Sequence, residues 1–179
     1  MTKLFTLICR SIKFDSEFDS YYWLNIEMVL NSFTIEPTPK TPQIDLNQFS
    51  GELILSGKSI PENAAKIYQP VLDWVTEYVL KARPITNLRL NLEYFNTASM
   101  MWLSRILKVL KKINDPEYIL YVHLYMPVEE YDEMNNIEDI RDALIPVRDI
   151  LQDATPCIGI KLYGTNNNSE IIKDALVFI

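Results

Sequence analysis

Three hydrogen-bonding side chains, Asn96, Thr97 and Ser99, fall within four positions of the stretch LEYFNTASMMWLSRILKVLKKI, residues 92–113. Such residues do two kinds of chemistry at a helix start. One oxygen can cap the helix by accepting a free backbone amide, and a cap needs only one. An exposed hydroxyl can instead receive a phosphoryl group. The phosphate would sit in the favourable field of the helix N-terminus and would add nearly two negative charges to a surface that a partner reads.

Other reactive residues are sparse. His123 is the single histidine and lies among apolar residues in a strand-like run, YILYVHLYM, so it reads as a satisfied structural histidine. One histidine and two separated cysteines make no zinc set, and no G-x-S-x-G nucleophile motif accompanies them. With four glycines in the chain there is no phosphate-cradling loop. Gly57-Lys58-Ser59 lacks the first glycine of a P-loop and reads as a turn. Glu129, Glu130, Asp132 and Glu133 could gather a divalent cation. Their spacing does not fit an EF-hand, and a solvated acidic loop or docking patch is the simpler reading. No cofactor and no metal are expected.

The elements that must position these residues alternate. Residues 33–50 carry Pro37, Pro39 and Pro42, which favour an extended edge strand. GELILSG, 51–57, is a short strand with Leu53 and Leu55 on one face. A helix follows from about Pro61 to Ala82, with Pro61 and Glu62 in its first turn and Ile67, Val71, Trp74, Val75 and Tyr78 at helical spacing. Pro70 should kink or divide it. NLRLNLEYF, 87–95, alternates Leu88, Leu90, Leu92 and Tyr94 against Arg89, Asn91 and Glu93, the mark of a strand with one apolar face. The second helix spans about Ala98 to Ile113. Its buried stripe is Met101, Trp102, Ile106, Val109, Leu110 and Ile113, and Arg105, Lys108, Lys111 and Lys112 make its outer side basic. Residues 118–126 read as a central strand. IEDIRDAL is helix-like and is ended or bent by Pro146. CIGIKLYG, 157–164, is a last strand, and Ser169 caps a short C-terminal helix. The order implies an α/β sandwich, a mixed sheet of about four to six strands with crossover helices.

Bulk properties narrow the function. The chain has 179 residues, about one domain, and 48% are hydrophobic, enough for a packed core. A net charge of −7 argues against nucleic acid and against an anionic membrane surface as main partner. No apolar run approaches a membrane span, and LFTLIC near the N-terminus is too short for a signal-peptide core. Cys9 and Cys157 fit a reduced, cytoplasmic chain better than a disulfide framework. Residues 1–32 show no sustained period, and Met28 is an alternative start.

Two stretches carry a family likeness. GELILSGKSIPENAAKIYQPVLDWVTEYV and LRLNLEYFNTASMMWLSRILKVLKKI resemble the SiaC family of regulatory phosphoproteins, and PTPKTPQIDL resembles its opening strand. The likeness runs over residues 33–151, leaving 1–32 as an N-terminal extension and 152–179 as a C-terminal one, a strand plus short helix on the same domain. It implies a STAS-like fold similar to anti-anti-sigma factors, and a non-enzymatic partner switch. A serine/threonine kinase would phosphorylate the threonine of the FNT motif, here Thr97, and a PP2C-type phosphatase would reverse this. The unmodified form would activate a diguanylate cyclase and promote biofilm formation. Ser99 is the alternative acceptor. Asn96, Ser99, Met100, Met101, Lys58 and Ser59 would form the partner surface. Where the family reads FNTSSSK this chain reads FNTASMM, and HLYMPVEEYDEM is a looser copy of its acidic run. IPVRDIL matches the family's closing strand, against the helical reading of the same residues. Two readings without the switch stand beside this one: a constitutive protein-binding module, and an enzyme using the carboxylates at 129–133.

Overall fold

The computed structural model describes residues 30–134 and 137–179; the readings of Cys9 and Met28, and of nearly all of 1–32, lie outside them. The described strands form one seven-stranded sheet in chain order: β1 (Phe33–Ile35), β2 (Gln43–Asn47), β3 (Glu52–Ser59), β4 (Ile85–Phe95), β5 (Ile119–Pro127), β6 (Cys157–Thr165) and β7 (Ile171–Phe178). β3 to β6 pair in parallel, and β1, β2 and β7 join antiparallel. Between the parallel strands run α1 (Ala64–Tyr78), α2 (Thr97–Leu110) and the short α3 (Val128–Glu133), α4 (Ile137–Ala143) and α5 (Ile145–Leu151).

Each crossover moves the chain one strand in the same direction, so the right-handed rule puts the helices on one face. Strand residues on that face are apolar and buried: Leu53, Leu55, Leu88, Leu120, Val122, Ile158, Ile160 and Leu162. Helix residues meet them at helical spacing, with Tyr68, Val71, Trp74, Val75 and Tyr78 from α1 and Leu103, Ile106, Leu107 and Leu110 from α2. Trp74 stacks on Tyr78 with ring centroids 5.2 Å apart, and the buried Tyr78 hydroxyl bonds Thr86 Oγ1 at 2.8 Å.

The mixed α/β sheet agrees with expectation, but several elements differ. The sheet has seven strands rather than four to six, because residues 33–50 supply two strands and residues 171–178 a further one. Residues 33–50 are not one edge strand but a hairpin of β1 and β2. The three prolines lack the amide donors a ladder needs and fall in the connection. Gly57-Lys58-Ser59 is not a turn. Gly57, at φ +89°, sits at a bulge, and β3 runs on through Ser59. The first helix begins at Ala64, capped by Asn63, whose Oδ1 accepts from Lys66 N at 3.2 Å. Pro61 lies buried before it. Pro70 neither ends nor divides α1, because it is on the exposed side, where water reaches the carbonyl it leaves unbonded. On α2 the buried stripe runs through Ser99, Leu103, Ile106, Leu107 and Leu110, while Met101 is more than half exposed. IPVRDIL is helical, with Pro146 in its first turn, not a strand. The predicted C-terminal helix is the strand β7. Ser169, at φ +61°, lies in the tight connection, where Asn166 Oδ1 accepts from Asn168 N and Glu170 N.

Gly51 shows how tightly the sheet is closed at its other end. It has φ +73°, and an added Cβ would fall 2.4 Å from the Ile85 carbonyl oxygen. Gly57 has a similar positive φ but open space around it. Gly51→Ala is therefore expected to cost about 2–3 kcal/mol and Gly57→Ala about 1 kcal/mol, read as the shift in urea unfolding midpoint.

Candidate functional site

The end of β4 leads directly into α2, and the junction is fixed from both sides. Asn96 is the N-cap: its backbone is extended, and its Oδ1 accepts from Ser99 N at 2.9 Å. Asn96 N donates to the Ser59 carbonyl at 3.0 Å, tying the cap to the end of β3. Thr97 is the first residue of α2 and is exposed.

Beneath it lies a buried chain of hydroxyls. Ser99 Oγ donates to the Ser59 carbonyl at 2.9 Å. That leaves Ser99 Oγ to accept from Ser59 Oγ at 2.8 Å. Ser59 Oγ then accepts from the Tyr68 hydroxyl at 2.6 Å. Each proton has one place to go, and the chain ends on a carbonyl that cannot donate. Ser59, Ser99 and Tyr68 are all 0% exposed, and burial raises the Tyr68 pKa. Ser59 and Ser99 were expected on the partner surface, and Ser99 as an alternative acceptor. Both are sealed behind it, because each spends its hydroxyl on holding α2 to β3. Tyr68 was missed. A tyrosine at a core position of an amphipathic helix is the available signal, since a buried phenol needs a partner.

Around Thr97 the surface is apolar. Tyr94, Phe95, Met100 and Met101 are each exposed by roughly half or more. Met100 and Met101, expected on a partner surface, are exposed, and Tyr94 and Phe95 are exposed with them. Lys58, opposite Tyr94 in the ladder, is exposed with its Nζ 4.0 Å from Glu93.

A second polar cluster occupies the sheet face away from the helices. Glu52 on β3 accepts from Asn87 Nδ2 at 2.8 Å and from Arg89 Nε at 2.6 Å. Asn87 therefore turns its Oδ1 to His123 Nε2, 2.9 Å away. The imidazole thus carries its proton on Nε2, and Nδ1 is left to face Arg89 Nη1 at 3.2 Å and the Tyr163 hydroxyl at 3.0 Å. Tyr163 stacks on both His123 and Tyr125, and Tyr121 closes the other side edge-on. The Tyr121 ring lies where a Cβ on Gly159 would come within 2.6 Å, so only glycine lets it sit down on β6. His123 is 1% exposed, as fits a satisfied structural histidine. Burial first, then the Arg89 and Lys161 charges, lower its pKa to about 4. Lys161 Nζ lies 4.2 Å over the Tyr121 ring.

The acidic residues 129–133 form α3, and Asp132 pairs with Lys173 at 2.5 Å. Among the described residues no group of three or more histidine, cysteine or acidic side chains is arranged to hold a metal. Cys157 is exposed and free. No described helix is long and apolar enough to cross a membrane.

Comparison with known proteins follows the same outline. The model of a family described as SiaC family regulatory phosphoprotein matches residues 35–150. An uncharacterised protein of Pseudomonas aeruginosa strain UCBPP-PA14 is 31% identical over 83 residues, 46% of this chain and 66% of that protein, just under two thirds of its length. Apo-SiaC from Pseudomonas aeruginosa superposes with a TM-score of 0.53 at 26% identity, covering 63% of this chain and 92% of that one. The structure of the diguanylate cyclase SiaD in complex with its activator SiaC, from the same organism, gives a TM-score of 0.55 at 23% identity, covering 73% of this chain and 99% of the other. The fold is therefore the STAS-like one of SiaC, with β6 and β7 both lying wholly beyond the residues that the family model matches.

Two outcomes are expected. Ser99→Ala removes the acceptor for the Ser59 hydroxyl and should cost about 1–3 kcal/mol in urea unfolding. The lowered His123 pKa makes stability depend on pH. The unfolded chain takes up a proton below about pH 6.5 and the folded chain does not until about pH 4. About 3 kcal/mol present above pH 6.5 should thus be lost as pH falls from 6.5 to 4. In urea titrations across that window, His123→Gln should flatten the slope.

Proposed function

We propose that this chain, which belongs to the SiaC family of regulatory phosphoproteins, is a non-enzymatic cytoplasmic signalling protein switched by reversible phosphorylation of Thr97. A serine/threonine kinase adds the phosphate and a PP2C-type phosphatase removes it. The unmodified form binds and activates a diguanylate cyclase, and through its product promotes biofilm formation. The solved SiaC of Pseudomonas aeruginosa is described as the activator of the diguanylate cyclase SiaD, which supports a cyclase as the partner here.

The observation that carries this reading is a contrast between neighbours. Thr97 is exposed at the first position of α2, whereas Ser99, two residues on, is wholly buried and hydrogen-bonded. A kinase can reach one hydroxyl and not the other. The added phosphate lies at the positive end of α2, where it strengthens the helix rather than opposing it. The fold stays as it is and the surface changes. Tyr94, Phe95, Met100 and Met101 offer apolar area to a partner, methionine adaptably so. A phosphate of nearly two negative charges in their midst must be desolvated when the partner docks. A few kcal/mol of such penalty moves a complex from mostly bound to mostly free. Lys58 and Asn96 complete the surface, Lys58 as a rim charge and Asn96 as the cap that holds Thr97 in place.

Peptide mapping after incubation with the cognate kinase should find phosphate on Thr97 and none on Ser99. Thr97→Asp should weaken cyclase binding by at least about tenfold, or 1.4 kcal/mol, and Thr97→Ala should leave it nearly unchanged. Equal affinity for Thr97→Asp and wild type would mean a constitutive binding module instead.

A further inference from the structure

The two edges of the sheet are built differently. β1 is three residues long and runs into Pro37, Pro39 and Pro42, which cannot donate to an added strand. β7 is eight residues long, and among the described residues no strand lies on its outer side. Its sequence has no proline or glycine. Ile171, Ile172, Leu176 and Phe178, with the adjoining Ile179, are 42–55% exposed. Among the described residues this edge is uncovered, and an apolar edge of this length, whose charges are Lys173 and Asp174, is a template for a strand that avoids setting like charges against them. We propose that β7 is an interface through which two copies of this chain pair, antiparallel and edge to edge, into one continuous sheet.

Charge admits a second copy and restricts the register. A two-fold axis normal to the sheet keeps each face on its own side, so opposed residues point the same way and their numbers sum to an even total. An axis through Lys173 or Asp174 sets like charges directly against each other, and one through Ile172 sets Glu170 against Asp174. Such pairs are destabilising. An axis at Ala175 opposes Ile171 to Ile179, Ile172 to Phe178, Lys173 to Val177 and Asp174 to Leu176. No like charges meet, and the overlap runs over residues 171–179. An axis at Leu176 also avoids them but within β7 pairs only residues 174–178, against 172–178 for the axis at Ala175. The Lys173 charge is already matched within the chain, by Asp132 at 2.5 Å. Each pairing covers apolar side chains on both faces while joining the free backbone groups of two edges. A net charge of −7 per chain opposes association at long range, so added salt should strengthen it.

Sedimentation velocity of the full chain over a concentration series tests this directly. The mass should rise from 20.9 kDa toward twice that value, more readily at high salt. The Ile172→Glu/Leu176→Glu variant, which sets a carboxylate at position 176 against Asp174 in both copies, should stay at the mass of one chain with an unchanged melting profile, and Thr34→Lys on the opposite edge should pair as wild type does. Cross-linking gives a reading that does not depend on that double variant folding. In a Cys9→Ser/Cys157→Ser background, Ala175→Cys should oxidise to a covalent dimer, since directly opposed Cα atoms lie about 4.5–5.5 Å apart, within disulfide reach. Lys173→Cys should not. A wild type that stays at the mass of one chain throughout, a dimer that survives the β7 substitutions, or cross-linking through Lys173→Cys as readily as through Ala175→Cys would each overturn the proposal. So would a monomer whose edge binds only extended peptides of other sequence.

Discussion

Three hydroxyls shut away from water decide where α2 begins. Tyr68 from α1, Ser59 from the end of β3 and Ser99 from the first turn of α2 form a chain in which every proton is committed, ending on the Ser59 carbonyl. Buried polar groups are costly when unpaired, so this chain tolerates little slippage of any of the three elements. The Asn96 amide bonds that same carbonyl. One acceptor at the end of β3 therefore sets both the cap and the first buried residue of the helix. Thr97, between them, has no choice but to face outward.

This arrangement separates two demands that usually conflict. A modification site must be open to an enzyme, yet a surface read by a partner must have a fixed shape. Under the proposed switch, the rigidity lies one layer down, in the buried hydroxyls, and the exposed layer is left free to change its charge. The second polar cluster divides labour in a similar way. Glu52, Asn87 and Arg89 form a fork around His123, and the surrounding tyrosines keep water off it. A charged pair at the cluster's rim orients a neutral ring at its centre.

What could be read from the sequence was what repeats locally. β4 announces itself because one face is buried and the other polar, and α2 because its apolar residues recur at helical spacing. That one of Asn96, Thr97 and Ser99 caps α2, and that His123 is a satisfied core histidine, were legible from residue type and setting. The partners were not. Ser59 and Ser99 are 40 positions apart, as are His123 and Tyr163, and only the sheet register brings them together. Gly57-Lys58-Ser59 looks like a turn in isolation because glycine accepts the same positive φ in a turn as at a bulge. Ile171–Phe178 became a strand because β6 lies alongside it, a long-range pairing that overrides local preference. Apolar type and helical spacing alone read Met101 as part of the buried stripe of α2, whereas it lies on the exposed side.

The missing side chain at Gly159 has an effect out of proportion to its size. Because β6 offers bare backbone there, Tyr121 can lie low across the strand and shield the imidazole on its far side. A methyl group in that place would prop the ring up and open a path for solvent toward Nε2 and Nδ1. The burial that helps lower the pKa of a histidine on β5 thus depends in part on a hydrogen atom on the neighbouring strand, and backbone relief joins the Arg89 and Lys161 charges in setting the response to acid.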